Sequence, residues 1–252
     1  IEKKSRLVSL QHGANSGYGL FLTNEYLDKK NADAYLTWGW DDKSKKIKKA
    51  FFCLRKPIIN KKNKLLLVMH SNATFQNILR SNLIITNNIE IHNFHINLIK
   101  LLIKNFSDEL IIRLPKFDDQ KIFYKKEILK INKNINFDKN IEFLDSLSEA
   151  KTVITAYDAT PFLQSLNLNV PTIGYWNSKH GIINSKMLKY FNDLKKNDVL
   201  ISNEKKINNV LINNYSNIED WWKKPDRHKV VKTFKNNFCK KGELKNVLQN
   251  II

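Results

Sequence analysis

Cysteine, methionine, proline and glycine are all scarce in this chain: two, two, five and seven among 252 residues. Cys53 and Cys239 lie far apart and outside any metal-ligand spacing, which excludes a disulfide framework and a cysteine-held metal and fits a reducing compartment. The few glycines form neither a Walker-type loop nor a nicotinamide fingerprint. No apolar run approaches the ~20 residues that a membrane span needs, and no charged-then-apolar signal opens the chain. These absences lead to the expectation of a soluble cytoplasmic protein, with peripheral contact at the inner face of the cytoplasmic membrane allowed.

Acidic residues are scarce too. Lys and Arg number 43 against 24 Asp and Glu, a formal charge of +19. Such an excess suits a polyanionic partner: nucleic acid, an anionic membrane surface or a phosphorylated substrate. A second explanation competes, because Lys, Asn and Ile are abundant together and share A/T-rich codons. The lysines are also scattered. The densest run, Asp42 to Lys49, reads as a solvated helix face that could equally touch lipid headgroups. A hydrophobic content of 42% is ample for a packed core.

Short apolar strands are expected at Arg6 to Leu10, Ala34 to Trp38, Lys64 to Met69, Leu110 to Leu114, Thr152 to Thr155, Pro171 to Tyr175 and Val199 to Ser202. Helical patterns separate most of them: Ile91 to Asn105, Asp119 to Ile131, Pro161 to Leu168 with Thr160 as N-cap, Asn184 to Leu194 and Glu204 to Asn213. Alternating strands and helices imply an α/β fold, a Rossmann-like parallel sheet with helices on both faces. Residues 1–215 read as one nucleotide-donor-binding domain. Residues 216–252 read as a helical tail packing back on it, with Trp221 and Trp222 as core. Asp41 to Asn63 reads as an exposed excursion.

Four polar loops follow strand ends, where open α/β sheets bind phosphorylated ligands. The turn from Gln11 to Gly19 exposes backbone N–H groups that can hold phosphate. His12, the one side chain there titrating near neutrality, is the natural general base, and Gly13, Asn15, Ser16 and Tyr18 could orient substrate. The alternative is a tight turn in which His12 caps backbone groups. In the second turn, Thr160 and the first amides of a helix make an anion site, while Asp158 suits a sugar hydroxyl; an ordinary helix cap explains Thr160 equally. Arg113 ends a strand and can neutralise a diphosphate, or form a surface ion pair. His70, Ser71, Asn72 and Thr74 form the fourth loop. His92, His95, His180 and His228 show no ligand spacing, and no metal site is expected.

At these residues the chain resembles a known group. Leu10-Gln11-His12-Gly13 with Gly19, Val153 to Thr160 and Asn169 to Ile173 are similar to elements of the CDP-glycerol glycerophosphotransferases, the teichoic acid polymerases. Asp33 to Trp40 resembles a piece found in bacterial surface-carbohydrate transferases. The resemblance implies a GT-B-type fold, of which this chain supplies mainly the C-terminal donor domain, the N-terminal acceptor domain being absent from it. It implies a metal-independent transferase with no cofactor, using a nucleotide-linked sugar or polyol donor and a glycan or lipid-linked acceptor. His12 would be the base, and Arg113, Thr160 and the helix N-terminus would hold donor phosphates. Ala156 stands where the group has Asp, and Asp158-Ala159 where it has two serines, which points away from CDP-glycerol towards a nucleotide-activated sugar such as a CMP-linked acidic sugar. The competing expectation is a non-catalytic domain that binds nucleic acid, another polyanion or a membrane surface; with a transferase, no nucleic-acid partner is expected.

Overall fold

A computed structural model of the chain describes residues 5–55, 57–70, 88–115, 118–176 and 182–242, without the side chains of 88 and 118–120. The described residues form two parallel sheets rather than the single sheet expected. The smaller has the order β1-β2-β3, with β1 at Val8–Leu10, β2 at Ala34–Thr37 and β3 at Ile47–Lys49. The larger contains β4 (Leu65–Val68), β5 (Leu110–Arg113), β6 (Asn136–Phe137), β7 (Thr152–Thr155), β8 (Thr172–Tyr175) and β9 (Leu200–Ile201). Its order is β6-β5-β4-β7-β8-β9, parallel throughout. Chain direction across the sheet reverses between β4 and β7. At such a switch point the loops beyond the carboxyl ends diverge and leave a crevice.

Burial on both faces explains why β4 reads as an unbroken apolar run. Leu65 and Leu67 join a cluster with Leu98 and Leu102 of α2 (Asn88–Phe106) and Ile128 of α3 (Asp118–Ile131). Leu66 and Val68 join Leu147 of α4 (Phe143–Glu149) in a separate cluster. The remaining helices are α1 (Thr23–Asn31), α5 (Thr160–Asn167), α6 (Leu188–Lys196), α7 (Glu204–Asn214), α8 (Ile218–Trp222) and α9 (Pro225–Phe238). The segment expected as one helix from Asn184 starts as a 3-10 turn, Ser185–Met187, capped by the Asn184 side chain.

The run from Asp42 to Lys49 is not a helix face. Ile47 is buried while Lys48 and Lys49 are exposed, and the segment pairs with β2 as an edge strand. Helix α1 escapes sequence detection because it buries none of its residues and so carries no apolar stripe. Thr160 is the first residue of α5 rather than its cap: Ala159 holds the extended capping backbone, and Pro161 follows in the first turn, where its missing N–H costs nothing.

The C-terminal segment ties the two sheets together. Helix α9 packs on α5 and α6. Phe234 and Phe238 lie against Phe191, and Phe238 also meets Tyr18 edge-on. Beyond the helix, Lys240 donates its N–H to the Trp38 carbonyl and accepts from Phe52 N–H. Gly39 makes this approach possible: it has φ +128°, and a Cβ there would lie 2.5 Å from the Asn236 carbonyl. Trp221 and Trp222 are buried, the first under the stacked Arg227 guanidinium.

Candidate active site

The turn after β1 crosses to the switch point of the larger sheet. Ala14 N–H donates to Thr160 Oγ1 at 3.4 Å, and the Tyr18 hydroxyl donates to the Asp158 carbonyl at 3.4 Å. Ala14 and Thr160, the partners of the first contact, both line a cavity of about 230 Å³. Residues 12–16 line it from the turn, Leu22 to Glu25 and Asp28 from α1 and its start, Tyr35 from β2, and Ala159 and Thr160 from the head of α5. Loops from two sheets thus share one site, which replaces the expected common rim of a single sheet.

Backbone conformation makes the turn concave. Gly13, Asn15 and Gly17 have φ of +102°, +75° and +81°. Left-handed residues alternating with others turn successive N–H groups to one side, a geometry suited to anions. Amides at the ends are used internally: Gly17 N–H donates to Glu25 Oε2, and those of Tyr18 and Gly19 to the Asn15 carbonyl. The amides of His12, Gly13, Asn15 and Ser16 make no hydrogen bond among the described residues. With the Thr160 amide they supply donors around one cavity; Pro161 has no N–H, and those of Phe162 and Leu163 donate to the Ala159 carbonyl.

Gln11 holds the turn in place. It is buried; its Oε1 accepts from Trp38 N–H at 2.9 Å and from Trp40 Nε1–H at 2.8 Å, while its Nε2 donates to the Gly13 carbonyl. The Trp40 ring so fixed leaves no room for a side chain at residue 17. Gln11 lies inside the motif read from the sequence but gained no role there, because its partners just after β2 become visible only when the strands pair. Glu25 and Asp28 were missed because α1 was; Tyr35 lies in the expected strand β2, where an apolar run gave it no sign of a role.

The expected site residues divide. His12 is exposed and lines the cavity with Gly13, Asn15, Ser16 and Thr160. Ser16 hydrogen-bonds the Tyr35 phenol, whose pKa burial raises. Asn15 is buried, and its Oδ1 has no partner among the described residues. Tyr18 belongs to the core: its ring packs on Phe191 and Phe238, and burial pushes its pKa well up, so it supports the turn rather than facing a ligand. Asp158 is half-buried and lies next to the lining; burial raises its carboxyl to about 8, which keeps it mostly protonated at neutral pH.

Arg113 is committed elsewhere. Its guanidinium donates to Asp138, to Ser146 Oγ and to the carbonyls of Asn140 and Ile141. With all those donors engaged it pins the loop after β6 and does not line the cavity, contrary to the expected phosphate contact. In the fourth loop His70 is buried against Tyr157, and Ser71, Asn72 and Thr74 lie outside the described residues, as does His180. Among the described residues no group of three or more His, Cys, Asp or Glu could hold a metal ion, and no helix is long and apolar enough to cross a membrane.

Residues 1–249 match the model of a family described as LIC12162 family transferase. No curated protein matches the chain. Among solved structures, TarM shares the fold with a TM-score of 0.53 at 11% identity, over 99% of this chain and 50% of that one. A mutant TarM from S. aureus, solved in complex with fondaparinux, alpha-GlcNAc-glycerol and UDP, is similar to the same degree, with a TM-score of 0.53, 11% identity and the same 99% and 50% coverage. The chain therefore spans about half the length of these structures, and at this identity the likeness is one of fold.

Proposed function

The chain belongs to the LIC12162 family of transferases, and from that premise we propose that it moves a glycosyl group from a nucleotide-activated donor to a surface glycan. The observation that carries the proposal is the cavity at the switch point, with backbone amides that have no partner among the described residues on one wall and the head of α5 on the other. A nucleoside diphosphate is the anion such a site suits. The amides of His12, Gly13, Asn15, Ser16 and Thr160 would hold the phosphates and stabilise the charge that develops on them as the leaving group departs, with no metal needed for that purpose. His12 would act as general base: its imidazole takes the proton of the acceptor hydroxyl as that oxygen bonds to the anomeric carbon, and the nucleoside diphosphate leaves with the electron pair of the broken C–O bond. A UDP-linked sugar is the first donor to test, because the similar TarM structure holds UDP. A lipid-linked acceptor would place the reaction at the inner face of the membrane.

Isothermal titration with CDP, CMP, UDP and GDP tests the donor site; binding of none of them by the family's full-length protein would defeat the proposal. His12→Ala is expected to lower turnover by roughly 10²–10⁴-fold with donor affinity kept. Loss of affinity instead would make His12 a ligand contact and remove it as base.

A further inference from the structure

We infer that the groove between α1 and the segment leading into β3 is a docking face for an anionic lipid bilayer, and that it seats the mouth of the donor cavity at the membrane surface. The groove encloses about 370 Å³; residues 19–22 line it, with Tyr26, Lys29 and Lys30 of α1 on one side and Lys46 and Ile47 on the other. Leu22 and Glu25 line the donor cavity as well, so the two depressions share a wall. Around the groove the chain leaves apolar groups in water. Helix α1 buries none of its residues, and Leu20, Phe21, Tyr26 and Leu27 are between 45% and 58% exposed. The rings of Phe21 and Tyr26 lie 6.5 Å apart, and Leu20 donates its N–H to the carbonyl of Ile182, a further exposed side chain. Single exposed apolar residues are ordinary on a protein surface; exposed ones grouped in this way mark an interaction face.

Charge selects the occupant. The lining holds three lysines against one carboxylate. That carboxylate, Glu25, is answered by Gly17 N–H at 3.0 Å and by Lys29 at 3.6 Å, and Lys29 also pairs with Asp42 at 2.6 Å. Asp28, the other acid of α1, lines the donor cavity and not the groove. Lys30 and Lys46 have no carboxylate partner among the described residues: Lys30 lies over the Tyr26 ring at 6.0 Å, and Lys46 donates to the Ala32 carbonyl at 2.9 Å. An apolar floor rimmed by a tyrosine and uncompensated ammonium groups matches a headgroup layer, where rings and aliphatic chains enter the acyl boundary while lysine heads stay with the phosphates. A second copy of the chain suits the face less well, because a two-fold contact sets the same lysines against one another. The docking face stands on these contacts alone; its use in bringing a lipid-linked acceptor to the cavity rests on the glycosyl-transfer reading.

Co-sedimentation of the full-length protein with vesicles of phosphatidylcholine, with and without phosphatidylglycerol, tests this. Binding is expected to the anionic vesicles, to weaken with added salt, and to be slight on phosphatidylcholine alone. Replacing both Leu20 and Phe21 by Ser should lower binding roughly tenfold. Lys30→Gln, which leaves every apolar residue in place, should lower it roughly fivefold. Ile58→Ser removes a 90% exposed isoleucine from the segment hydrogen-bonded to α4 and should leave binding unchanged. Circular dichroism checks that each variant is folded. Failure of the full-length protein to bind anionic vesicles, binding untouched by the Leu20 and Phe21 changes, an equal loss with Ile58→Ser, or a dimer that the Leu20 and Phe21 changes dissociate would each overturn the docking face. UDP titration of the same samples separates the two readings: vesicle binding without UDP binding supports the face and defeats the donor site, and UDP binding without vesicle binding does the reverse.

Discussion

Replacing Gln11 by methionine keeps the length of the side chain and removes its oxygen and nitrogen. Two buried donors, Trp38 N–H and Trp40 Nε1–H, would then lose the acceptor they share at 2.9 and 2.8 Å, and the Gly13 carbonyl would lose its donor. An orphaned buried polar group costs about 1–3 kcal/mol. Two of them sum to about 2–6 kcal/mol, a large part of the 5–15 kcal/mol that holds a typical domain together. The melting temperature should fall on the order of 10 °C. Gln11→Glu separates the terms, since a carboxylate still accepts from both tryptophans but faces the Gly13 carbonyl with no donor and brings a buried charge. Urea unfolding of the wild type and both variants, followed by tryptophan fluorescence, measures the loss, with donor titration of the surviving folded protein alongside. A methionine variant within about 0.5 kcal/mol of the wild type, the scatter of an ordinary surface substitution, would refute the role given to Gln11.

Arg113→Ala should cost about 3–5 kcal/mol, because Asp138 is left buried and unpaired, yet leave nucleotide affinity unchanged; a fall in affinity at constant fold would return Arg113 to the donor site. Asp158 sets a pH dependence of known sign. Its carboxyl titrates at about 8 in the fold against 3.8 when free, so the native state retains a proton that the unfolded chain releases, and this group's contribution falls as pH rises from about 4 to about 8. Asp158→Asn should therefore gain stability relative to the wild type between pH 5 and pH 8 in parallel denaturation curves, and a difference that stays constant with pH would contradict this.

Most of the larger sheet was legible because its central strands are buried and read as plain apolar runs, with β7 matched to the residue; the edge strand β6, two residues with neither buried, was not expected. What failed to show was short, edge-bound or polar. Ile47 is a single buried residue between lysines, so β3 looked like solvent-facing chain. Helix α1 carries no apolar stripe, and with it went Glu25 and Asp28. The His12 and Thr160 loops drew notice by residue type, although a tight turn and a helix cap account for the same residues. That they meet across two sheets was not legible, because Ala14 and Thr160 are 146 residues apart and only tertiary packing joins them. Arg113 illustrates the limit of residue type: its donors suit a diphosphate and suit the Asp138 loop equally, and the nearer partner wins.

Amide NMR during a UDP titration addresses the donor cavity most directly. The amides of Gly13, Ala14, Asn15, Ser16 and Thr160 should shift together with one dissociation constant, while those around Arg113 and Asp138 stay still. Saturation of the protein by UDP with those five signals unmoved, or with the largest shifts elsewhere in the fold, would contradict the placement of the nucleotide between the two sheets.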